Sequence, residues 1–144
     1  AELLQQMWSQ VGVTLVLKPT ESGALTTSLN KGEQELCCAG TSYSLFEAGA
    51  GLYNMFHTER MYSGSARSNL SSPEVDKVLD EINITSDAEK RAELVGQAQE
   101  LIHEESPFIY IAFTKNIIGA GSKVRGFVPT PTAMYDFRTV YFVE

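Results

Sequence analysis

Two hydrophobic periods alternate along the chain. Near its start Leu3, Leu4, Met7 and Trp8 recur at helical spacing on one face, and Gly12 supplies a stop. "VTLVLK" (13–18) is then a continuous aliphatic run, as expected of a parallel strand buried on both faces. A second short helix is predicted next, capped by Thr20 or Ser22, with Ala24, Leu25, Ser28 and Leu29 facing inward. Asn30-Lys31-Gly32 closes it, and "ELCCAG" (35–40) reads as another buried strand. Strand, helix and strand in that order predict a parallel pair with a right-handed crossover.

The clearest punctuation lies in "SSPEVDKVLDEINITSDAEKR" (71–91). Ser72 is a good N-cap, Pro73 fits a first helical turn, and Glu74 favours the positive end of the helix dipole. Val75, Val78, Leu79 and Ile82 then form one apolar stripe. After a short turn, Ser86 with Glu89 makes a capping box, with Asp87 as the alternative cap. Leu94, Val95, Ala98, Leu101 and Ile102 give the second helix its stripe, and Pro107 forbids continuation. Two antiparallel helices with facing stripes would cover one side of a sheet.

The remainder reads as β-rich. "PFIYIAF" (107–113) and "NIIGAG" (116–121) are predicted strands with a turn near Thr114-Lys115. "VRGFVP" (124–129) and "RTVYFVE" (138–144) are predicted to follow as further strands. The fold class expected is therefore α/β: a single unit over 1–144, with a mixed β-sheet flanked by helices that include an antiparallel helix pair.

Between Gly40 and Asn69 the periodicity dissolves, apart from a helical turn or two expected around Gly51 to His57. A long irregular segment inside a compact domain is usually functional or disordered. The five aromatic residues here argue against disorder, so this is the segment to search for function.

Composition narrows the classes. At 144 residues the chain can bury a core without disulfide or metal staples. Its net charge of −7, with no basic stripe, argues against a nucleic-acid partner. No apolar run reaches the length of a membrane span. "AELLQQMWSQ" is amphipathic and lacks the basic start of a secretory signal, so the chain reads as beginning within a longer structure. The two cysteines, Cys37 and Cys38, are neighbours; on a strand they would point to opposite faces, which disfavours a bridge. Two glycosylation sequons, Asn69-Leu70-Ser71 and Asn83-Ile84-Thr85, matter only in a source that glycosylates its secreted proteins.

Catalytic candidates are few. Neither His57 with Glu59 nor His103 with Glu104 and Glu105 has the spacing that puts two imidazoles on one helix face. His103 sits where a cation complements a helix C-terminus. A nucleophilic thiol needs a base and an electropositive setting, and the cysteine run offers neither. Gly49-Ala50-Gly51 is too short for a dinucleotide fingerprint, and there is no Gly-x-Ser-x-Gly elbow. No enzyme activity, cofactor or metal is expected.

The ordered motifs resemble a known family. "SPEVDKVLDE" following Asn69 is similar to the "Asn-Pro-Glu-Val-Asp" helix opening of the family 5 extracellular solute-binding proteins, the peptide, nickel and glutathione receptors of bacterial ABC importers. "TSDAEKRAELVGQAQELIHEESPFIYIA" resembles the family's following helix and strand, "VRGF" (124–127) its "Val-x-Gly" strand, and "YDFRTVYF" its terminal strand. "LLQQMWSQVGVTLVLKPTESGALTTSLNKGEQELCCAG" is similar to the helix–strand–helix–strand that precedes them in the family.

The resemblance implies a periplasmic-binding-protein-like lobe, most of the second lobe of a two-lobe receptor whose first lobe is absent from this chain. It implies a ligand held in the inter-lobe cleft, hinge closure, and delivery to the membrane subunits of an ABC permease. It also implies a periplasmic or extracellular location, with lipid anchoring to the cell membrane as a variant. In the family the segment after the strand ending at Gly40 lines the cleft, which makes Thr41, Ser42, Tyr43, Ser44, Phe46 and Glu47 the expected ligand-binding residues.

Peptide receptors carry a Trp just after that Gly and an Asp shortly afterwards that pairs with the peptide's amino terminus. Here Thr41 replaces the Trp and Ser44 falls near the Asp, which weakens the case for a ligand with a free amine. Glu47 is the shifted candidate for that charge, and Tyr43 and Phe46 supply apolar contact. The alternatives are an interaction or regulatory domain derived from such a lobe, which would expose an apolar surface to a protein partner, and a hydrolase, which would need His57 within reach of Ser42 or Ser44.

Overall fold

The computed structural model describes residues 1–40, 47–63, 68–113, 115, 117–130 and 134–144. In chain order they form α1 (Glu2–Ser9), α2 (Ser22–Asn30), α3 (Ala48–Phe56), a 3-10 turn (Thr58–Arg60), α4 (Pro73–Ile84), α5 (Ala88–Glu105), β1 (Val124–Arg125) and β2 (Tyr141–Phe142).

The core is built where the apolar stripes were densest. Val75, Val78, Leu79 and Ile82 of α4 meet Leu94, Ala98 and Ile102 of α5, and Leu79, Ile82 and Ala98 are fully buried. Thr85 to Asp87 alone separate the two helices, so they double back on one another. Near the turn Lys90 Nζ lies 2.8 Å from Glu81 Oε1, whereas Glu74 and Lys77 share a groove with Gln97 and Leu101 towards the open end. Burying each large aliphatic side chain stabilises the fold by roughly 1.5–3 kcal/mol.

α3 is longer than the turn or two predicted, and it packs on both members of the pair. Its sequence, Ala-Gly-Ala-Gly-Leu-Tyr-Asn-Met-Phe, is a poor helix former because of its two glycines. Packing outweighs propensity here. A Cβ on Gly49 would collide with Ile82 Cγ2, so only glycine permits this approach of α3 to α4. Leu52, Tyr53 and Met55 lie against the core, and Phe56 closes it, with its ring 5.2 Å from that of Phe108.

The helix starts differ in detail from those read in the sequence. α5 is capped by Asp87, whose Oδ1 accepts from Lys90 N at 2.8 Å, the alternative to Ser86. Glu21, rather than Thr20 or Ser22, caps α2, accepting from Gly23 N and Ala24 N; a carboxylate one residue before the helix reaches the orphan amides more favourably than a hydroxyl. Ser72 occupies the cap position of α4 but its side chain makes no cap hydrogen bond. α5 ends at Ser106, which adopts a left-handed φ of 50°.

The expected mixed sheet is not assembled among the described residues, whose one ladder is the antiparallel pair β1–β2, with Val124 opposite Phe142 and Arg125 opposite Tyr141. Gly126, at φ 75°, lets the chain turn against the carbonyl of Thr139 beside this pair. Residues 13–18, 35–40 and 107–113 lie outside any ladder and leave Val16, Leu36, Ile109 and Ile111 exposed. An apolar run becomes a buried strand only beside a neighbouring strand and a covering layer. The described chain supplies neither.

One contact within the first forty residues and one from beyond them order this region. The Gln5 side chain donates to Leu15 O at 2.7 Å, folding the 13–18 run back on α1. Tyr62, itself left-handed at φ 62°, lays its ring over Gly32 at the end of α2. Residues 72–106 contain ten acidic and three basic residues, so the helix pair carries the whole net charge of −7 and the rest of the chain is neutral.

Candidate functional site

Of the residues expected to touch ligand, Thr41, Ser42, Tyr43, Ser44 and Phe46 lie outside the described residues, and Glu47 lies within them. Glu47 stands at the N-terminus of α3, where its carboxylate accepts from Gly49 N and Ala50 N. The same carboxylate takes Arg91 Nη2 at 2.7 Å and Nε at 3.3 Å. Arg91 also donates through Nη1 to Ile82 O at 2.7 Å and to Thr85 O at 3.3 Å. One guanidinium from α5 thus binds the last carbonyls of α4 and the cap of α3.

Burial pushes the Glu47 carboxyl up, but the Arg91 hydrogen bond and the Ala50 and Gly49 amides outweigh it and hold the group below the usual carboxylate range. Four donors already occupy this carboxylate, so a ligand ammonium reaching it would share it with Arg91. Spacing alone did not show the clamp. The signal available was Glu47 placed two residues before Gly49, a capping distance, with Leu52, Met55 and Phe56 following at helical intervals.

A second polar cluster follows α3. The His57 side chain is only 10% exposed and stacks on Tyr53 with ring centroids 4.3 Å apart. Its Nδ1 accepts from Glu59 N at 3.1 Å, so the neutral ring carries its proton on Nε2. Nε2 is buried, 3.4 Å from Asp80 Oδ1 and 4.0 Å from Asp76 Oδ1, and makes no hydrogen bond among the described residues. Asp76 Oδ1 accepts from Thr58 N at 2.9 Å, a second tie on the same turn. Tyr53 donates its hydroxyl to Glu59 Oε1 at 2.6 Å, and this bond pushes the phenol up to about 12. Arg60 lies over the other part of the cluster, 5.8 Å from the Tyr53 ring centroid.

This tautomer has a chemical consequence. The one lone pair of the neutral ring is taken by a backbone amide, so His57 in this arrangement is not placed to remove a proton from a serine hydroxyl. A metal on Nε2 would need the proton moved to Nδ1, where the Glu59 amide already points. Among the described residues no group of three or more His, Cys, Asp and Glu side chains could hold a metal ion. Cys37 is half-buried and Cys38 exposed, both as free thiols. His103 lies in the last turn of α5, the place its position in the sequence suggested. No helix among the described residues is long and apolar enough to cross a membrane.

No family model matches the chain. It is 40% identical over 77 residues to the peptide transport periplasmic protein SapA of Haemophilus influenzae, covering 54% of this chain and 14% of that protein. It is 25% identical over 140 residues to the dipeptide-binding protein of Escherichia coli, covering 97% of this chain and 26% of that protein. Against the glutathione-binding protein GsiB of Pectobacterium atrosepticum, identity is 28% over 150 residues, 99% of this chain and 29% of that protein. The chain therefore spans less than a third of the length of these relatives.

Proposed function

The chain is a homologue of the family 5 solute-binding proteins, and from this premise we propose that it forms part of the substrate-binding component of an ABC importer for peptides or similar small solutes. In this reading it is most of one lobe of a two-lobe receptor that works in the periplasm or outside the cell. Ligand sits in the cleft between lobes, hinge closure commits it, and the closed form docks on the membrane permease. The single observation that carries the reading is similarity to a dipeptide-binding protein along 97% of the chain.

The contacts proposed for the ligand are Thr41, Ser42, Tyr43, Ser44 and Phe46, with Glu47 at their border. The geometry around Glu47 supports this arrangement. Glu47, next to the segment, is fastened to α3 and to Arg91 of α5, and through Arg91 to α4, so the helix pair acts as a rigid base beside the cleft. The exposed runs 13–18, 35–40 and 107–113 are read as strands of the mixed sheet, completed in the whole receptor.

Thermal unfolding of the longer protein and of residues 1–144, each with di- to hexapeptides, glutathione, oligosaccharides and Ni²⁺ complexes, tests the reading. A ligand at a hundred times its Kd adds about 2.7 kcal/mol of stability. A shift in the longer protein with none in the fragment supports the inter-lobe cleft. No shift with any ligand, or equal shifts in both, overturns it and directs attention to a protein partner at the exposed apolar surface.

A further inference from the structure

We propose that His57 is a proton-operated latch: neutral, it caps the Thr58–Arg60 turn through Nδ1, and on protonation it releases that cap while its Nε2 side is drawn to the nearby carboxylates of α4. The inference does not depend on the transport reading. It rests on a nine-tenths buried imidazole whose two nitrogens face opposite kinds of partner.

Nδ1 faces a donor, the backbone N–H of Glu59. An imidazolium has no lone pair, so the first event on protonation is loss of this acceptor and an N–H set against an N–H. Nε2 faces two acceptors, Asp80 Oδ1 at 3.4 Å and Asp76 Oδ1 at 4.0 Å. The charge created on the ring is thus met on its other side, and the side chain has no reason to leave α4.

The other groups facing the ring fit this division of labour. From α3, Tyr53 stacks on it and stays neutral, its hydroxyl held by Glu59. From the turn come Glu59 and Arg60, which lie 3.9 Å apart and offset one another. From α4 come the carboxylates of Asp76 and Asp80. Asp76 also accepts from Thr58 N, so a new pull from the ring competes with the second tie on the turn. Thr58 Oγ1 is buried without a hydrogen-bond partner among the described residues and does nothing to hold the turn closed. Protonation therefore loosens the turn from two directions and leaves the packed helices alone.

What the turn carries gives the latch its reach. Two residues beyond it Tyr62 rests on Gly32, at the end of α2. Opening the turn moves the stretch of chain that carries Tyr62 and its contact with Gly32, so acid would loosen the end of α2 before it unfolds the core.

Amide hydrogen exchange by NMR on the chain, normalised to protection factors, tests this between about pH 8 and pH 5, the span in which imidazole ordinarily titrates. Protection at Glu59 is expected to fall roughly fivefold, the equivalent of one hydrogen bond, while Leu79 and Ala98 hold theirs. His57→Asn sharpens the test, since an asparagine oxygen can accept from the same i+2 amide and cannot titrate. That variant should keep the protection of Glu59 at both ends of the range. Flat protection in the native chain overturns the latch, as does a pH dependence that survives in His57→Asn. A parallel loss at Leu79 and Ala98 would also overturn it, because the proton would then be unfolding the core.

Discussion

Residues 47–106 and the stretches on either side of them share a chain but not a way of being stabilised. In the middle, eight apolar side chains at 7% exposure or less form a continuous core, and α3, α4 and α5 all touch one another. On the flanks, Val16, Leu36, Ile109, Ile111, Phe113 and Ile117 are all more than half exposed. The flanks are no less apolar in sequence. The difference is where the partner of each apolar face resides. A helix pair joined by a three-residue turn carries its partner with it, whereas a strand's partner lies far away in the chain or beyond it. Charge divides the same way, since the acidic excess lies on the outer faces of the self-sufficient pair.

The sharpest way to break this comparison is to truncate the same side chain in both regions. Ile82→Ala, at a fully buried position, should cost about 2–5 kcal/mol by urea unfolding. Ile111→Ala, at 61% exposure, should change stability by no more than about 0.5 kcal/mol in the chain alone. In the two-lobe protein proposed above, the same Ile111→Ala should cost about 2 kcal/mol or more, since the run would be buried there. Equal small effects in both settings would mean the flank is a surface in its own right.

A smaller effect is expected where backbones approach most closely. Gly49→Ala adds one methyl against Ile82 Cγ2, and overpacking of this kind costs about 1–3 kcal/mol. Gly96→Ala is the control. It lies in α5 with no neighbouring atom in the way, and replacing a helical glycine by alanine should stabilise by roughly 0.5–1 kcal/mol. Opposite signs for the same substitution would separate packing from propensity, and matching signs would discount the close approach of α3 to α4.

The Glu47–Arg91 clamp comes next. Arg91→Ala and Glu47→Gln should each lower stability by about 1 kcal/mol, because the pair is part-exposed, and the double variant should cost less than the sum. Because the folded-state carboxyl of Glu47 is depressed, its contribution is complete above the ordinary value near 4.5 and fades as pH falls through the lower folded value. A wild-type minus Glu47→Gln stability difference that stays constant from neutral pH to about pH 3 would count against the pairing.

The same contrast explains what could be read from the residues beforehand. The stripes, turn and end of the α4–α5 pair were legible because their signals are local, whereas its caps were not: Ser72 makes no cap bond, and Asp87 rather than the Ser86 capping box starts α5. α3 was only half visible, since its glycines lower its propensity and the packing that overrides them comes from Ile82. The cap of α2 was misplaced by one residue, because Thr20, Glu21 and Ser22 all carry side-chain oxygens and only geometry chooses among them. Of the candidate ligand residues Glu47 alone is described, and its pairing with Arg91, 44 positions away, has no periodic signature to betray it. The latch at His57 was hidden for the same reason, as its partners sit on a helix whose polar face reads as solvated charge.

The finest test compares two helix starts within the well-built region. Both Ser72 and Asp87 are ideal cap residues by type, but only Asp87 accepts from the helix it precedes. The stabilising element is the hydrogen bond, so Asp87→Ala should cost about 1 kcal/mol and Ser72→Ala at most about 0.5 kcal/mol. Ser72 is 3% exposed, so its truncation also checks that a small buried hydroxyl without a cap bond adds little at this site. If the two variants lose equal stability, Ser72 caps α4 in solution, and the entry to the acidic pair is fastened at both helices rather than at one.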